Sequence, residues 1–260
     1  MKKIFLPVLM LVFLSNCTKK ESGWNSLIID NSLEGWHIFQ DNGSKKGWIV
    51  EDNILIFNGV SDMETGEGDA SLLSDKVYGN FEIKFDWLIS PGGNSGFMWG
   101  VNEDEKYHYP YQTGQEIQIL DPAIYENPTL ALGGDIEVNN AIEDLEARKH
   151  FVGALYDLSA PIKTDVARPA NQWNTYHIKI DYNSNLGEVL LNDVLINSFP
   201  LAGPEWEAMF QKSKFNRPDE AEYLGDERWK GFGKFSTGHI CFQDHPGKVS
   251  FRNIKIKELD

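Results

Sequence analysis

Glu116-Ile117-Gln118-Ile119-Leu120-Asp121 is the stretch whose residue types and spacing point to chemistry. Polar and apolar residues alternate at period two, so on a strand Glu116 and Gln118 share one face while Ile117 and Ile119 turn into a core. A carboxylate beside an amide on the polar face of a sheet can grip a sugar, and the carboxylate can also move a proton. Asp121 offers a second acid. Direct retaining hydrolysis of a glycoside needs two carboxyl groups about 5–5.5 Å apart. Residues five apart on an extended strand are separated by roughly 16 Å and face opposite sides, so Glu116 and Asp121 meet only if a bulge intervenes. Asp121-Pro122 equally reads as a strand terminator whose Asp bonds to turn backbone.

The elements that must position these groups read as strands. Gly35 to Phe39 and Trp48 to Phe57 are aromatic-rich, with polar turns at Asp41-Asn42-Gly43 and Glu51-Asp52-Asn53. Phe81, Ile83, Phe85, Trp87 and Ile89 alternate with Glu82, Lys84 and Asp86, a strand with one buried and one wet face. Pro91-Gly92-Gly93 closes it, and Asn94 to Val101 reads as its neighbour. The pattern fails from Pro122 to Phe151, apart from a short helical signal near Ile142 to Lys149. Alternation resumes at Tyr176, Ile178, Ile180 and Tyr182, and Asn192-Asp193 marks a two-residue hairpin between Leu186–Leu191 and Val194–Phe199. Pro204 to Lys212 is the one clear helix, with Trp206, Met209 and Phe210 on a face. A polar, aromatic-dotted insert, Asn216 to Lys234, precedes closing strands at Gly238–Phe242 and Lys248–Lys257. In the last of these, Val249 and Phe251 share a parity that Ile254 and Ile256 do not, which predicts a bulge near Arg252-Asn253. About a dozen short strands and one short helix predict an all-β, two-sheet sandwich in a single domain over residues 24–260.

The 260 residues are 41% hydrophobic, enough for one sizeable core. The formal charge of −15 excludes a phosphate-backbone partner, and no Gly-rich phosphate loop is present, so nucleic acids and nucleotides are not expected ligands. Residues 1–16 read as an export signal: Lys2 and Lys3, then an apolar run from Ile4 to Leu14 too short to span a bilayer. Leu14-Ser15-Asn16-Cys17 resembles the lipobox of bacterial lipoproteins. It makes Cys17 the expected lipidation site and residues 17–23 a tether, with lipid as the only membrane contact. The expected location is the cell envelope of a Gram-negative bacterium, at the outer membrane, facing the periplasm or the surface. Thr18 after the Cys argues against inner-membrane retention, by resemblance to lipoprotein sorting. Of the two cysteines, Cys241 is then left as a small buried residue without a disulfide.

Five ordered patterns carry a wider resemblance: Asn94-Ser95-Gly96, Glu116 to Asp121, Gly153-Ala154-Leu155-Tyr156-Asp157-Leu158, Trp173-Asn174, and Gly238-His239-Ile240 through Gln243-Asp244-His245 to Phe251-Arg252-Asn253-Ile254-Lys255-Ile256. In this order and spacing they resemble the 3-keto-disaccharide hydrolase family over nearly the whole span from Trp24 to Leu259. The resemblance implies a concanavalin A-like jelly-roll sandwich, acting on glycosides whose sugar a separate 3-dehydrogenase has oxidised to a ketone. Gly100, where a basic residue is expected after Asn-Ser-Gly, and the long Asn216–Lys234 insert depart from the family pattern.

A ketone at carbon 3 acidifies the proton on carbon 2. Removing it gives an enolate that expels the carbon 1 substituent, and water then re-adds (hydrolase) or does not (1,2-lyase). Such a site needs a base, an acid for the leaving oxygen and a partner for the enolate. The resemblance nominates Glu116 and His245 as base and acid in either order, with Tyr156 as a further acid. Asn94, Gln118 and Gln243 are the expected neutral contacts to the substrate, and Asp157, Asp244 and Asp121 complete the binding set. No cofactor is evident; a divalent cation held by Glu116, Asp121 or His245 is an open alternative for polarising the ketone. The residues alone also allow plainer roles. Asp244-His245-Pro246-Gly247 suits a hairpin turn, Tyr156 suits a core position, and His37, His108, His150, His177 and His239 read as structural. Two other functions stay open at this level, a conventional glycoside hydrolase and a non-catalytic carbohydrate-binding module on the same fold.

Overall fold

In the computed structural model, alternating hydrophobicity becomes two antiparallel sheets packed face to face. The structure describes residues 23–41, 47–59, 70–131, 145–217, 225 and 227–260; Cys17, the export signal and Gly133-Gly134 lie outside them. Thirteen strands occur among the described residues. They are β1 (Asn25–Ser26), β2 (Trp36–Ile38), β3 (Trp48–Glu51), β4 (Ile54–Phe57), β5 (Leu72–Tyr78), β6 (Phe81–Ile89) and β7 (Asn94–Val101). There follow β8 (Gln115–Leu120), β9 (Asn174–Asp181), β10 (Leu186–Leu191), β11 (Val194–Phe199), β12 (Gly238–Phe242) and β13 (Val249–Glu258).

One sheet has the order β11-β10-β9-β6-β13-β4-β3, with β1 on β13, and the other β2-β5-β12-β7-β8. The non-consecutive neighbours and the two facing layers make this an all-β jelly-roll sandwich, as expected. β6 and β9 each alternate between buried and partly exposed residues, because one face meets the other sheet and one meets water. Phe85 of the first sheet reaches Phe97 and Phe242 of the second, with centroids 5.5 and 5.3 Å apart, and Phe242 lies 4.3 Å from Phe251. These rings tie the layers together.

β7 corrects one expectation. It is not the neighbour of β6: the chain crosses at Pro91-Gly92-Gly93 into the other sheet, where β7 pairs with β8 and β12. A Cβ at Gly93 would sit 2.7 Å from the Ile89 side chain, so the crossing is too tight for another residue. β7 is also buried along its whole length, because it lies inside its sheet with the core beneath and other chain above.

The predicted bulge is present. Pairing of β13 with β6 shifts between Arg252 and Lys255, and Asn253 takes φ +54°. At the β10–β11 hairpin Asn192 and Asp193 both have positive φ, as a type I′ turn requires. The predicted helix spans Gly203–Phe210, and a four-residue helical turn, Leu145–Arg148, accounts for the weaker signal before it. Cys241 is free and fully buried. No helix among the described residues is long and apolar enough to cross a membrane.

Candidate active site

The outer face of the five-stranded sheet carries the titratable groups. On β8, Ile117 and Ile119 are fully buried in the core, which turns Glu116 and Gln118 to the opposite face. β8 is not left as a bare edge. Residues 153–156 run beside it: Gln118 N donates to Ala154 O at 3.1 Å and Tyr156 N donates to Glu116 O at 2.9 Å. Ile117 bridges to Leu155, both core residues, so Tyr156 emerges beside Glu116 on the outer face.

On the other flank, Gly96 of β7 pairs with Gln118, and Gln243 N donates to Gly96 O at 2.9 Å. A Cβ at Gly96 would lie only 1.9 Å from Glu116 Oε1, so the missing side chain makes the space into which the carboxylate leans. Gln243 lies across from Gly96 and Asn94 precedes it on β7, and Gln243 Oε1 and Asn94 Oδ1 are buried and without hydrogen-bond partners. Acceptors in that state call for a donor, which the hydroxyls of a sugar supply. His245 lies two residues beyond Gln243, in a half-buried loop held to the start of β7 by Asn94 N donating to Pro246 O at 3.4 Å. Asn94 and Met98, which pairs with Glu116, are about 13 Å apart along β7. The lean of Glu116 over Gly96 covers part of that distance towards His245.

Burial pushes the Glu116 carboxyl up to about 7, and the Lys214 ammonium opposes the shift. Lys214 Nζ sits 4.5 Å from the centroid of the Tyr156 ring. It reaches the site from a 3-10 turn, Lys214–Asn216, soon after the Gly203–Phe210 helix. Asp157 holds that turn in place. Its Oδ2 accepts from Lys214 N at 2.5 Å, and its Oδ1 pairs with His150 Nε2 at 3.1 Å. Burial pushes the Asp157 carboxyl up, but the bonds from His150 and the Lys214 amide outweigh burial and hold it below the usual carboxylate range. The His150 ring in turn lies 4.9 Å from that of Tyr156.

The predicted residues therefore fall into two groups. Glu116, Gln118, Tyr156, Asn94 and Gln243 line one face, with His245 at its end. Asp157, Asp244 and Asp121 act on the chain instead. Asp244 is fully buried and accepts from Ser71 Oγ at 2.7 Å and Ala70 N at 3.1 Å. Asp121 accepts from Ala123 N at 3.1 Å and Gly92 N at 2.8 Å, so it fastens the Pro122–Tyr125 turn to the β6–β7 crossing. With both oxygens bonded to turn backbone, Asp121 has the strand-terminating role that Asp121-Pro122 also allowed.

Lys214 and His150 are the contributions that the sequence reading missed. Lys214 belongs to no periodic element, and its approach to Glu116 depends on Asp157, 57 residues earlier. The absent basic residue at Gly100 has a structural cause. Gly100 takes φ +69°, and a Cβ there would be 2.6 Å from Phe235 O, so this bulge admits no side chain. The cation of the site comes from Lys214.

A jelly roll whose outer sheet face combines a neutral-range carboxylate, a phenol, an ammonium and unmatched amide oxygens offers the groups a carbohydrate-active protein needs. The chain belongs to the 3-keto-alpha-glucoside-1,2-lyase-like domain family, whose model matches residues 23–257. It is 28% identical over 255 residues to the 3-keto-disaccharide hydrolase of Bacteroides thetaiotaomicron, covering 92% of this chain and 79% of that one. Among solved structures, a candidate glycosyl hydrolase of Parabacteroides distasonis is 30% identical, with a TM-score of 0.70 over 92% of this chain and 94% of that one. A second from the same organism, at 21% identity and TM-score 0.60 over 91% and 99%, shares the fold.

Proposed function

We propose that the protein cleaves 3-keto-glycosides by elimination across carbons 1 and 2, with Glu116 as the base. The observation that carries this reading is the Glu116 carboxyl, raised to about 7 by burial and leaning into the space over Gly96. A carboxylate in that range takes a proton at neutral pH and can return it. In the forward step Glu116 removes the carbon 2 proton, and the electron pair moves onto the carbon 3 oxygen as an enolate. Lys214 and the Tyr156 hydroxyl meet this charge, beside Glu116 on the same face. The enolate then re-forms the ketone and breaks the bond from carbon 1 to the glycosidic oxygen, which takes a proton from His245. The enone leaves as a lyase product, or water adds hydroxide to carbon 1 and a proton to carbon 2, completing a hydrolysis. Asn94, Gln118 and Gln243 hold the sugar hydroxyls.

Family membership and the activity named for the Bacteroides relative support the substrate class. The ketone has to be installed beforehand, so the reaction depends on a dehydrogenase acting at carbon 3. Proton NMR in heavy water tests the mechanism with a glucoside and its 3-keto derivative. Elimination with hydration turns over the keto sugar alone and places deuterium on carbon 2; elimination without hydration gives the enone. Cleavage of the plain glucoside, or hydrolysis without exchange at carbon 2, would overturn it. Glu116→Gln is expected to slow keto-sugar turnover at least 100-fold. His245→Ala should slow it less for substrates whose leaving group needs no proton.

A further inference from the structure

His37, His239 and Glu103 lie together at the far side of the same sheet face, and the function above uses none of them. His37 is on β2, His239 on β12, and Glu103 follows β7, so 202 residues of sequence separate the outermost two. Their ligand-capable atoms all fall within 4.8 Å of one another. We propose that this trio is a zinc-class divalent metal site, with Asp75 and Ser74 as its supporting shell.

The argument rests on how each ring nitrogen and carboxylate oxygen is occupied. His239 Nδ1 lies 2.6 Å from Ser74 O. A carbonyl only accepts, so Nδ1 carries the hydrogen, and the lone pair of a neutral ring is on Nε2. That nitrogen faces Glu103 Oε2 at 3.7 Å. Two acceptors turned towards each other need a positive charge between them. His37 repeats the pattern: Nδ1 is 2.7 Å from Asp75 Oδ1, while Nε2 points to the same Glu103 oxygen at 2.8 Å. Glu103 is itself oriented, its Oε1 accepting from Gln40 N at 2.8 Å. Every candidate ligand therefore has its outer group bound, which fixes tautomer and direction as in carboxylate–histidine–metal arrangements.

The spacing also suits the ion. Tetrahedral zinc with bonds of about 2.0–2.2 Å sets donor atoms about 3.3–3.6 Å apart. The two separations from Glu103 Oε2, 2.8 and 3.7 Å, bracket that range, so small side-chain rotations suffice. Two imidazoles and one carboxylate form a donor set that zinc accepts, with a fourth position for water. All three side chains keep about a fifth of their surface, which leaves the ion a way in. The site is separate from the catalytic groups. His37, Leu73, Cys241, Met98 and Glu116 form one cross-strand row, and four strand spacings put His37 about 19 Å from Glu116. An ion there joins the edge strand β2 to β12 and to the segment after β7.

Titration of chelator-treated full chain with zinc chloride, and with cobalt(II) as a visible probe, tests the proposal. The expected result is uptake of one ion per chain, visible cobalt bands of four-coordinate intensity, and a Tm that rises with zinc. His239→Ala and Glu103→Gln should abolish all three signals, and Asp75→Asn should weaken affinity about 10- to 100-fold. Glu116→Gln should leave uptake intact, which separates this site from the catalytic face. No saturable uptake by the wild type, or uptake unchanged in both His239→Ala and Glu103→Gln, would overturn it.

Discussion

A carboxyl near 7 makes Glu116 sensitive to pH in both activity and stability. Acting as a base, it must be ionised, so kcat/KM for a keto-glycoside should rise with pH through about 7 and level off above it. Lys214 opposes the effect of burial, so Lys214→Gln should move this limb to higher pH as well as lower the plateau by roughly 10²–10³. For stability the sign is reversed. The folded chain holds the Glu116 proton more tightly than the unfolded chain, whose carboxyl titrates near 4.5. Glu116 thus lowers net stability progressively as pH rises from about 4.5 through about 7, of order 1–3 kcal/mol. In urea unfolding, Glu116→Gln should therefore be the more stable form at pH 8 and indistinguishable from wild type near pH 4. In its proposed role as base, Glu116 would make the common trade of fold stability for activity. Residue type and parity announced Glu116 and Gln118 as outward-facing neighbours. They did not announce Lys214, because nothing local to it encodes a contact with β8.

At the scale of elements, β7 is the part most open to test. Its Gly96 gives up a side chain so that the Glu116 carboxylate can lie across the strand. Gly96→Ala would put a Cβ 1.9 Å from Glu116 Oε1, and the flexible carboxylate would move aside. The expected outcome is a loss of activity of at least 10-fold with little change in Tm, since misplacement near 1 Å is costly for catalysis. A large fall in Tm would mean that the backbone had moved instead. Most elements were legible from pattern. The hairpin at Asn192-Asp193 and the bulge at Asn253 follow from residues that tolerate positive φ, together with the parity of Val249, Phe251, Ile254 and Ile256. The sheet to which β7 belongs was not legible. A continuous apolar strand after a Gly-Gly turn fits either a hairpin or a crossing to the opposite layer, and packing at Gly93 decides between them.

For the whole molecule, cohesion rests on the aromatic interior. Phe85, Phe97, Phe242 and Phe251 are buried and meet from both sheets. Phe251→Ala should cost about 3–5 kcal/mol in equilibrium unfolding, because the surrounding sheets cannot close over the void. Reductant should leave the unfolding midpoint unchanged, since Cys241 is free and buried among apolar neighbours. The sequence by itself determined the all-β sandwich, most of its strands other than β1 and β5, the polar face of β8 and the family. These depend on local periodicity, turn chemistry and ordered motifs, all of which a linear chain displays. Only the tertiary structure decided that Asp121 and Asp244 serve backbone, that Lys214 supplies the cation missing at Gly100, and that His37 and His239 meet at Glu103. Each of those outcomes depends on strands distant in sequence becoming neighbours in a sheet, and on which atoms burial leaves to one another.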